Sequence, residues 1–399
     1  MNDLVLRASA IEKLVRSTSG GLAALPLAEA VVSCCEALVR AGEAKLAISL
    51  ASESYETVRA EGDIWALRLD MILARGLIAL GKYAEALRKC QEWSGTRVGA
   101  LPSASDDLLV LRMTEASCLR LLNHLQEGIE GLLAVRADLL RRPDSVLLAH
   151  CSVILSASEI RRGDFTQARR YALEGIVSAR RAGDPFWESV ALNNLGQIER
   201  TYGRWASAEE SCSTALQIAI DRGLRHEANH ARRSLAIIYW KRGRLGTAEE
   251  MANRCIEESA ALSAGVGEWY ATLLKGLILM HRGDFVGGIR LLTTKHEWEV
   301  PHSESRPSLL TTEFLGDIYL ERGDASEASR YYDRVWPEAI ALVPSGDIAA
   351  ELRRRRAECH YLLGRNAEAY DEALIGVEQC LQLGDRYEQA ATYRMLALA

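Results

Sequence analysis

Two histidines and a glutamate near the middle of the chain have the spacing of a zinc-binding helix. His226, Glu227 and His230 form the pattern His-Glu-x-x-His, in which the histidines share one helical face. They could bind zinc with Glu227 as general base and a third ligand at Glu249 or Glu250. We interpret the match as a coincidence, because these residues fall at variable positions of a longer repeat and nothing predicts the sheet and cleft of such proteases. No catalytic residue and no metal ligand is therefore assigned, and a zinc metalloprotease is kept only as an alternative.

Residues 353–356 are four consecutive arginines, flanked by Glu351 and Glu358. On a helix they spread around the axis at ~100° per residue, so an ion-paired, solvated face is favoured over a nucleic-acid patch. The net charge of −6 argues against a general basic surface. No phosphate-binding Gly-x-x-x-x-Gly-Lys-Ser/Thr motif is present. We expect no cofactor and no direct binding of nucleic acid.

The pattern of apolar residues and cysteines indicates where the chain resides. No apolar run approaches the ~18 residues that a membrane span needs, and no secretory signal opens the chain. The nine cysteines are odd in number and scattered through helical patterns. Reduced, buried thiols in a cytoplasmic protein without membrane contact are therefore predicted.

The elements that position these side chains are set by a recurring turn. A turn residue, Gly in all cases but one, returns at steps of 39 to 42 residues: Gly42, Gly81, Asn123, Gly163, Gly203, Gly243, Gly283, Gly323 and Gly364. A period between about 20 and 50 residues is typical of a stacked repeat rather than of one globular core.

Two further columns of residues keep the same register. The first column lies seven residues before each turn and is always small: Cys35, Ala74, Ala116, Ser156, Gly196, Ala236, Gly276, Gly316 and Ala357. The second column lies five residues after each turn and is always Ala or Gly: Ala47, Ala86, Gly128, Ala168, Ala208, Ala248, Gly288, Ala328 and Ala369. Small residues on two successive helices let their backbones approach closely, with the turn residue between them at φ > 0.

Residues 185–220 show how one repeat is built. Asp184 and Pro185 form a helix start, Gly203 ends the first helix and Gly223 ends the second. No strand-like alternation persists anywhere, so the fold class is all-α. Two segments, 92–106 and 293–308, break the spacing and are predicted to contain loops.

The run Asn-Leu-Gly at 194–196, Gly-Arg-Trp at 203–205 and then Ala208 resembles the tetratricopeptide repeat (TPR) signature. The usual repeat has about 34 residues, whereas this one has about 40, so the helices are longer. The resemblance implies a TPR-like right-handed superhelical solenoid of about nine helix-turn-helix repeats over residues 27–399. Residues 1–26 are expected to form an N-terminal capping segment. Because Ala397 already occupies the first column of a further repeat, we expect that the C-terminus is truncated within that repeat.

In TPR stacks the first helix of each pair lines the concave face, at positions six and three residues before the first column and one and four after it. The middle repeats place polar, basic and aromatic residues there, and these are our candidate ligand-binding residues: Asn193, Gln197, Arg200, His230, Arg233, Trp240 and Tyr270. The same positions of the last repeats are more acidic: Glu313, Asp317, Glu351, Arg354 and Glu358. The alternative is that these are merely solvated inner-face residues, or core in the case of Trp240.

The longer repeats and their Arg and Ala content are similar to the helical sensor regions of large bacterial transcription regulators. That resemblance implies a non-enzymatic recognition region that binds a peptide, a protein segment or a small effector in its concave groove. A stand-alone scaffold for protein assembly is the alternative from another class. The sequence leaves the ligand and the oligomeric state open.

Overall fold

The computed structural model describes residues 2–17, 24–96, 106–142, 146–262, 264–296, 305–344 and 346–399. These residues form twenty α-helices and no strand, as the all-α prediction requires. The helices are α1 (Asn2–Ser17), α2 (Ala24–Arg40), α3 (Ala44–Arg59), α4 (Asp63–Ala79), α5 (Tyr83–Thr96), α6 (Asp106–Leu121), α7 (Leu125–Leu139), α8 (Val146–Arg162), α9 (Phe165–Ala182), α10 (Pro185–Thr201), α11 (Trp205–Asp221), α12 (Arg225–Lys241), α13 (Leu245–Ala261), α14 (Gly265–His281), α15 (Phe285–His296), α16 (Ser305–Glu321), α17 (Ala325–Leu342), α18 (Asp347–Leu362), α19 (Asn366–Leu383) and α20 (Arg386–Leu398).

The predicted turn residues all lie between paired helices and all have positive φ, from 66° at Asn123 to 92° at Gly323. Asn123 is the only residue other than glycine with positive φ in the described part of the chain. The helix start predicted at Asp184 and Pro185 is confirmed. The Asp184 carboxylate accepts hydrogen bonds from the backbone N–H groups of Phe186 and Trp187, and Pro185 is the first residue of α10. The loops predicted at 92–106 and 293–308 lie largely outside the described residues.

The two small-residue columns face one another inside each helix pair. Ser156 Oγ donates a hydrogen bond to the backbone oxygen of Ala168 at 2.9 Å, which joins one column to the other directly. A Cβ atom built on Gly128 would lie 3.1 Å from the backbone oxygen of Ala116. The close approach of backbones that the columns predicted is therefore confirmed.

Residues far apart in sequence meet because the stack of helices curves back on itself. Arg225 Nη1 lies 3.0 Å from Glu43 Oε1, although 182 positions separate the two residues. Further along, one apolar cluster joins α9 and α10 to α18 and α19 through Phe165, Ala350 and Leu383. We call this line of contacts between successive turns of the superhelix the seam.

The N-terminal helix, the cysteines and the apolar character of the helices complete the description of the fold. Helix α1 packs on α2 and α3, with Ala8 and Val15 buried in their shared core. All nine cysteines are buried free thiols, as predicted. Among the described residues, none of the helices combines the length and the apolar character that crossing a membrane requires.

Candidate functional site

The first helices of successive pairs turn one face towards the inside of the superhelix. His226 and Glu227 are only partly buried there, yet burial lowers the pKa of His226 to about 4 and raises that of Glu227 to about 7. The seam, which joins Glu43 to Arg225 of α12, closes the curve of helices around this inner face. We call the space that the even-numbered helices α2 to α20 line the interior channel.

One part of the channel brings the ends of α2 and α4 against α12. Arg40 and Arg75 both contact Glu36, with N–O distances of 3.3 Å and 3.4 Å. The two arginine charges also act on Glu227 of α12, where they oppose the effect of burial on its pKa. The seam thus places two cations of the first repeats beside a carboxyl group of the middle repeats.

Aromatic rings of α8 and α10 line the same part of the channel. His150 of α8 stacks on Trp187 of α10, with ring centroids 4.0 Å apart. The Arg40 guanidinium carbon lies 5.5 Å from the centre of the Phe186 ring. Burial, followed by the charges of Arg75 and Arg40, lowers the pKa of His150 to about 3, so its imidazole is neutral.

An arginine without a carboxylate partner among the described residues lies at the centre of the channel. Arg233 of α12 lies with its guanidinium carbon 5.1 Å from the Tyr270 ring centre. Beside it the rings of His226 and His230 lie 4.7 Å apart, and burial holds the pKa of His230 well below its usual range. Within the described ranges, no Asp or Glu forms an ion pair with Arg233, and burial lowers its pKa. Neutral histidines and a tyrosine therefore surround an uncompensated positive charge.

The other part of the channel is lined by acidic groups of α16, α18 and α20. Most of them are paired: Asp347 with Arg306 at 2.5 Å, Asp317 with Arg355 at 3.0 Å, and Glu388 with Arg354. Glu313 and Glu351 form no such ion pair within the part of the chain that the structure describes. Arg233, His230 and Tyr270 thus lie in the middle repeats, whereas these acidic groups lie in the last repeats.

The structure brings together only some of the seven candidate residues. His230, Arg233 and Tyr270 form one group at the centre of the channel. Gln197 and Arg200 are partly exposed on α10. Asn193 is buried, and its Oδ1 accepts a long hydrogen bond from Cys212 Sγ at 3.9 Å.

Trp240 packs at the end of α12 rather than standing free. It lies against the apolar cluster of α14, α15 and α16, and its ring meets that of His281 edge to face at 5.5 Å. Trp240 keeps part of its surface exposed there, so it lies between the core and the inner face.

The described residues supply no third ligand to the His-Glu-x-x-His pattern. Among the described residues, no group of three or more His, Cys, Asp or Glu is placed to hold a metal ion. The carboxylate of Glu249, which the spacing suggested as a third ligand, is paired with Arg282 at 2.6 Å.

Sequence reasoning missed His150, Arg40 and Arg306 as channel residues. His150 could have been found, since it lies six residues before Ser156 and so occupies the same column position as His230. Arg40 and Arg306 lie near helix ends outside the four column positions. Their approach to the channel depends on the curvature of the whole stack, which no local pattern reports.

Comparisons with known proteins agree with this architecture. Residues 187–257 match the tetratricopeptide repeat model, whereas no curated protein sequence matches the chain. A Rap protein solved with Competence and Sporulation Factor is 16% identical, with 83% of this chain and 96% of that chain covered and a TM-score of 0.59.

Two further solved structures share the fold. NprR in complex with its cognate peptide NprX is 14% identical over 72% of this chain and 82% of that chain, with a TM-score of 0.51. The anaphase-promoting complex (APC/C) hetero-tetramer Cut9-Hcn1 is 12% identical over 93% and 72%, with a TM-score of 0.55. At these identities the likeness concerns the fold: the chain is a TPR-like helical solenoid.

Proposed function

We propose that this tetratricopeptide-repeat solenoid is a non-enzymatic recognition protein that binds a peptide or protein segment in its interior channel. The observation that carries the proposal is Arg233, a partly buried and desolvated cation without a carboxylate partner among the described residues, beside Tyr270 and His230. An uncompensated buried charge is costly, and a ligand that supplies the opposite charge removes that cost.

The chemistry of this group fits a carboxylate. The planar guanidinium of Arg233 offers a fork of N–H donors that matches a carboxylate bidentately. His230 is neutral, so it can donate or accept one hydrogen bond without repelling a cationic part of the ligand. The Tyr270 ring supplies apolar contact area next to the charge. The carboxylate would be a free chain terminus or an Asp or Glu side chain.

The wider role is proposed from the shared fold. NprR, a protein of this fold, is solved with a cognate peptide, and a Rap protein is solved with Competence and Sporulation Factor. By that likeness we infer that the chain is the sensory or regulatory part of a bacterial signalling or transcription regulator.

A library of random hexapeptides with free carboxyl ends tests the proposal. We expect the protein to retain a defined subset, and Arg233→Gln to bind that subset roughly 10- to 100-fold more weakly, since one charge-assisted bidentate contact is lost. Arg290→Gln, which removes an exposed arginine of α15, is the matched control and should bind as the wild type does. Equal binding by wild type and Arg233→Gln would contradict the assignment of Arg233.

A further inference from the structure

The acidic part of the channel contains two carboxyl groups, Glu313 and Glu351, that form no ion pair among the described residues. Glu313 of α16 is 1% exposed, and its Oε2 has no hydrogen-bond partner among the residues that the structure describes. Glu351 of α18 is partly exposed and forms no described ion pair. The charge of Glu351 is the strongest of those that act on Glu313, so the two groups are close neighbours. Glu351 therefore carries the accessible surface of the pair, with Glu313 more deeply buried.

The arginines around the pair form ion pairs with other carboxyl groups. Arg306 is paired with Asp347, and Arg354 is paired with Glu388. Lys241, which reaches towards Glu351 from α12, lies with its Nζ 4.2 Å from the centre of the Tyr387 ring.

Arg355 is engaged as well. It pairs with Asp317, whose Oδ1 also accepts the hydrogen bond of the Tyr332 hydroxyl at 2.7 Å. Among the described residues, no cation therefore forms an ion pair with Glu313 or Glu351, and Lys241 acts on Glu351 only electrostatically.

The electrostatic consequence is that the ionised form of both carboxyl groups is unfavourable. Burial, and then the charges of Glu351 and Asp317, raise the pKa of Glu313 well above its usual range, against the opposing charge of Arg355. Burial, and then the charge of Glu388, raise the pKa of Glu351, while Lys241 acts in the opposite direction. A cation placed at Glu351 would relieve both carboxyl groups at once.

We propose that Glu351 and Glu313 form a subsite for a positively charged nitrogen group of the ligand, an ammonium or a guanidinium. This inference rests on the proposed function, because it assigns the opposite end of the same bound peptide. A nitrogen cation suits the pair better than a metal ion does, because no described group of three His, Cys, Asp or Glu can ligate a metal. Ammonium and guanidinium groups donate hydrogen bonds to carboxylate oxygens, which is the chemistry that this pair offers.

The spacing between the two charged places bounds the size of the ligand. Arg233 and Lys241 lie eight residues apart on α12, which is ~12 Å along the helix axis, and Lys241 acts on Glu351. An extended peptide advances ~3.3–3.6 Å per residue, so six residues are long enough to reach from one place to the other. The channel then selects a short peptide with an anionic group near one end and a cationic group near the other.

The test is a positional-scanning library of hexapeptides with free carboxyl ends. Each position carries in turn lysine, arginine, norleucine or glutamate, and a parallel series has acetylated amino ends. Wild-type protein should favour Lys or Arg over norleucine at one position, or a free over an acetylated amino end, by about tenfold. The acetylated series decides whether the cation is the chain terminus or a side chain.

Variants then locate the preference. Glu351→Gln should abolish it and Glu313→Gln should weaken it, whereas Glu351→Asp, which restores the charge, should recover it. Glu338→Gln, an exposed glutamate of α17, is the matched control and should keep the wild-type preference. In all of these variants the dependence on Arg233 should persist.

The outcomes separate this subsite from the proposed function. An unchanged cation preference in Glu351→Gln, or bound peptides with no cation preference in the wild type, would overturn the subsite and leave peptide binding intact. Retention of no peptide at all by the wild type would contradict both.

Discussion

Burial inside the superhelix changes the charge of individual side chains in the channel. The pKa values of His150, His226 and His230 are all lowered, so these three histidines add hydrogen-bonding capacity without positive charge at neutral pH. The positive potential at the centre of the channel consequently comes from arginine. Because the column rule placed His230 and Arg233 but could not report their protonation, this distinction required the packed structure.

Glu227 gives a prediction with a defined pH dependence. A glutamate of the unfolded chain titrates near ~4.3, whereas burial raises the pKa of Glu227 to about 7 in the fold. Its ionised form therefore opposes folding, by an amount that grows as pH rises between these two values and stays constant above them. Glu227→Gln should raise the free energy of unfolding by about 1–3 kcal/mol near pH 8 and by less near pH 5.

Urea denaturation at the two pH values measures the difference. Glu250→Gln, which changes an exposed glutamate of α13, is the matched control and should show the same small effect at both. A Glu227→Gln effect that does not vary with pH would show that this carboxyl group is not desolvated by the channel.

At the scale of helices, the small-residue columns decide how closely paired helices pack. A Cβ atom built on Gly316 of α16 would lie 2.7 Å from Tyr332 Cε1 of α17, and Tyr332 is itself fully buried. The second helix would have to move outwards to accept even one methyl group.

Two glycine-to-alanine substitutions test this packing in opposite directions. Gly316→Ala should lower the free energy of unfolding by about 1–3 kcal/mol, through overpacking against Tyr332. Gly131→Ala, on an exposed face of α7 with no atom near the new Cβ, should raise it by about 0.5–1 kcal/mol, because alanine favours the helix. Thermal or urea unfolding of both variants measures the effects, and stabilisation by Gly316→Ala would contradict the close approach at this column.

The elements were predictable from the sequence because their determinants are local. Turn residues such as Asn123 and column residues such as Ser156 and Ala168 recur at fixed spacing, and each acts on the helix pair that contains it. The same register gave His230 and Arg233 as candidates, and the structure places both beside Tyr270 or each other. The approach of Arg40 to the channel could not be predicted, because it depends on small rotations that add up over several repeats.

At the scale of the whole molecule, the seam turns a curved stack into an enclosed channel. The contact of Arg225 with Glu43 and the cluster around Leu383 and Phe165 hold successive turns of the superhelix together. This closure desolvates the inner side chains and brings Arg75 close to Glu227. A ligand inside the channel therefore touches first helices from separate repeats at once, whereas a ligand on the outside would touch second helices.

The most direct test of the account is to find where a bound peptide lies. A hexapeptide retained by the wild-type protein is made with a benzophenone group at one residue, photo-crosslinked, and mapped by mass spectrometry of the digested adduct. Our account predicts crosslinks on the inner helices α12, α14, α16 and α18, and their loss when unlabelled peptide competes. Competable crosslinks confined to the second helices α11, α13, α15 and α17 would contradict it.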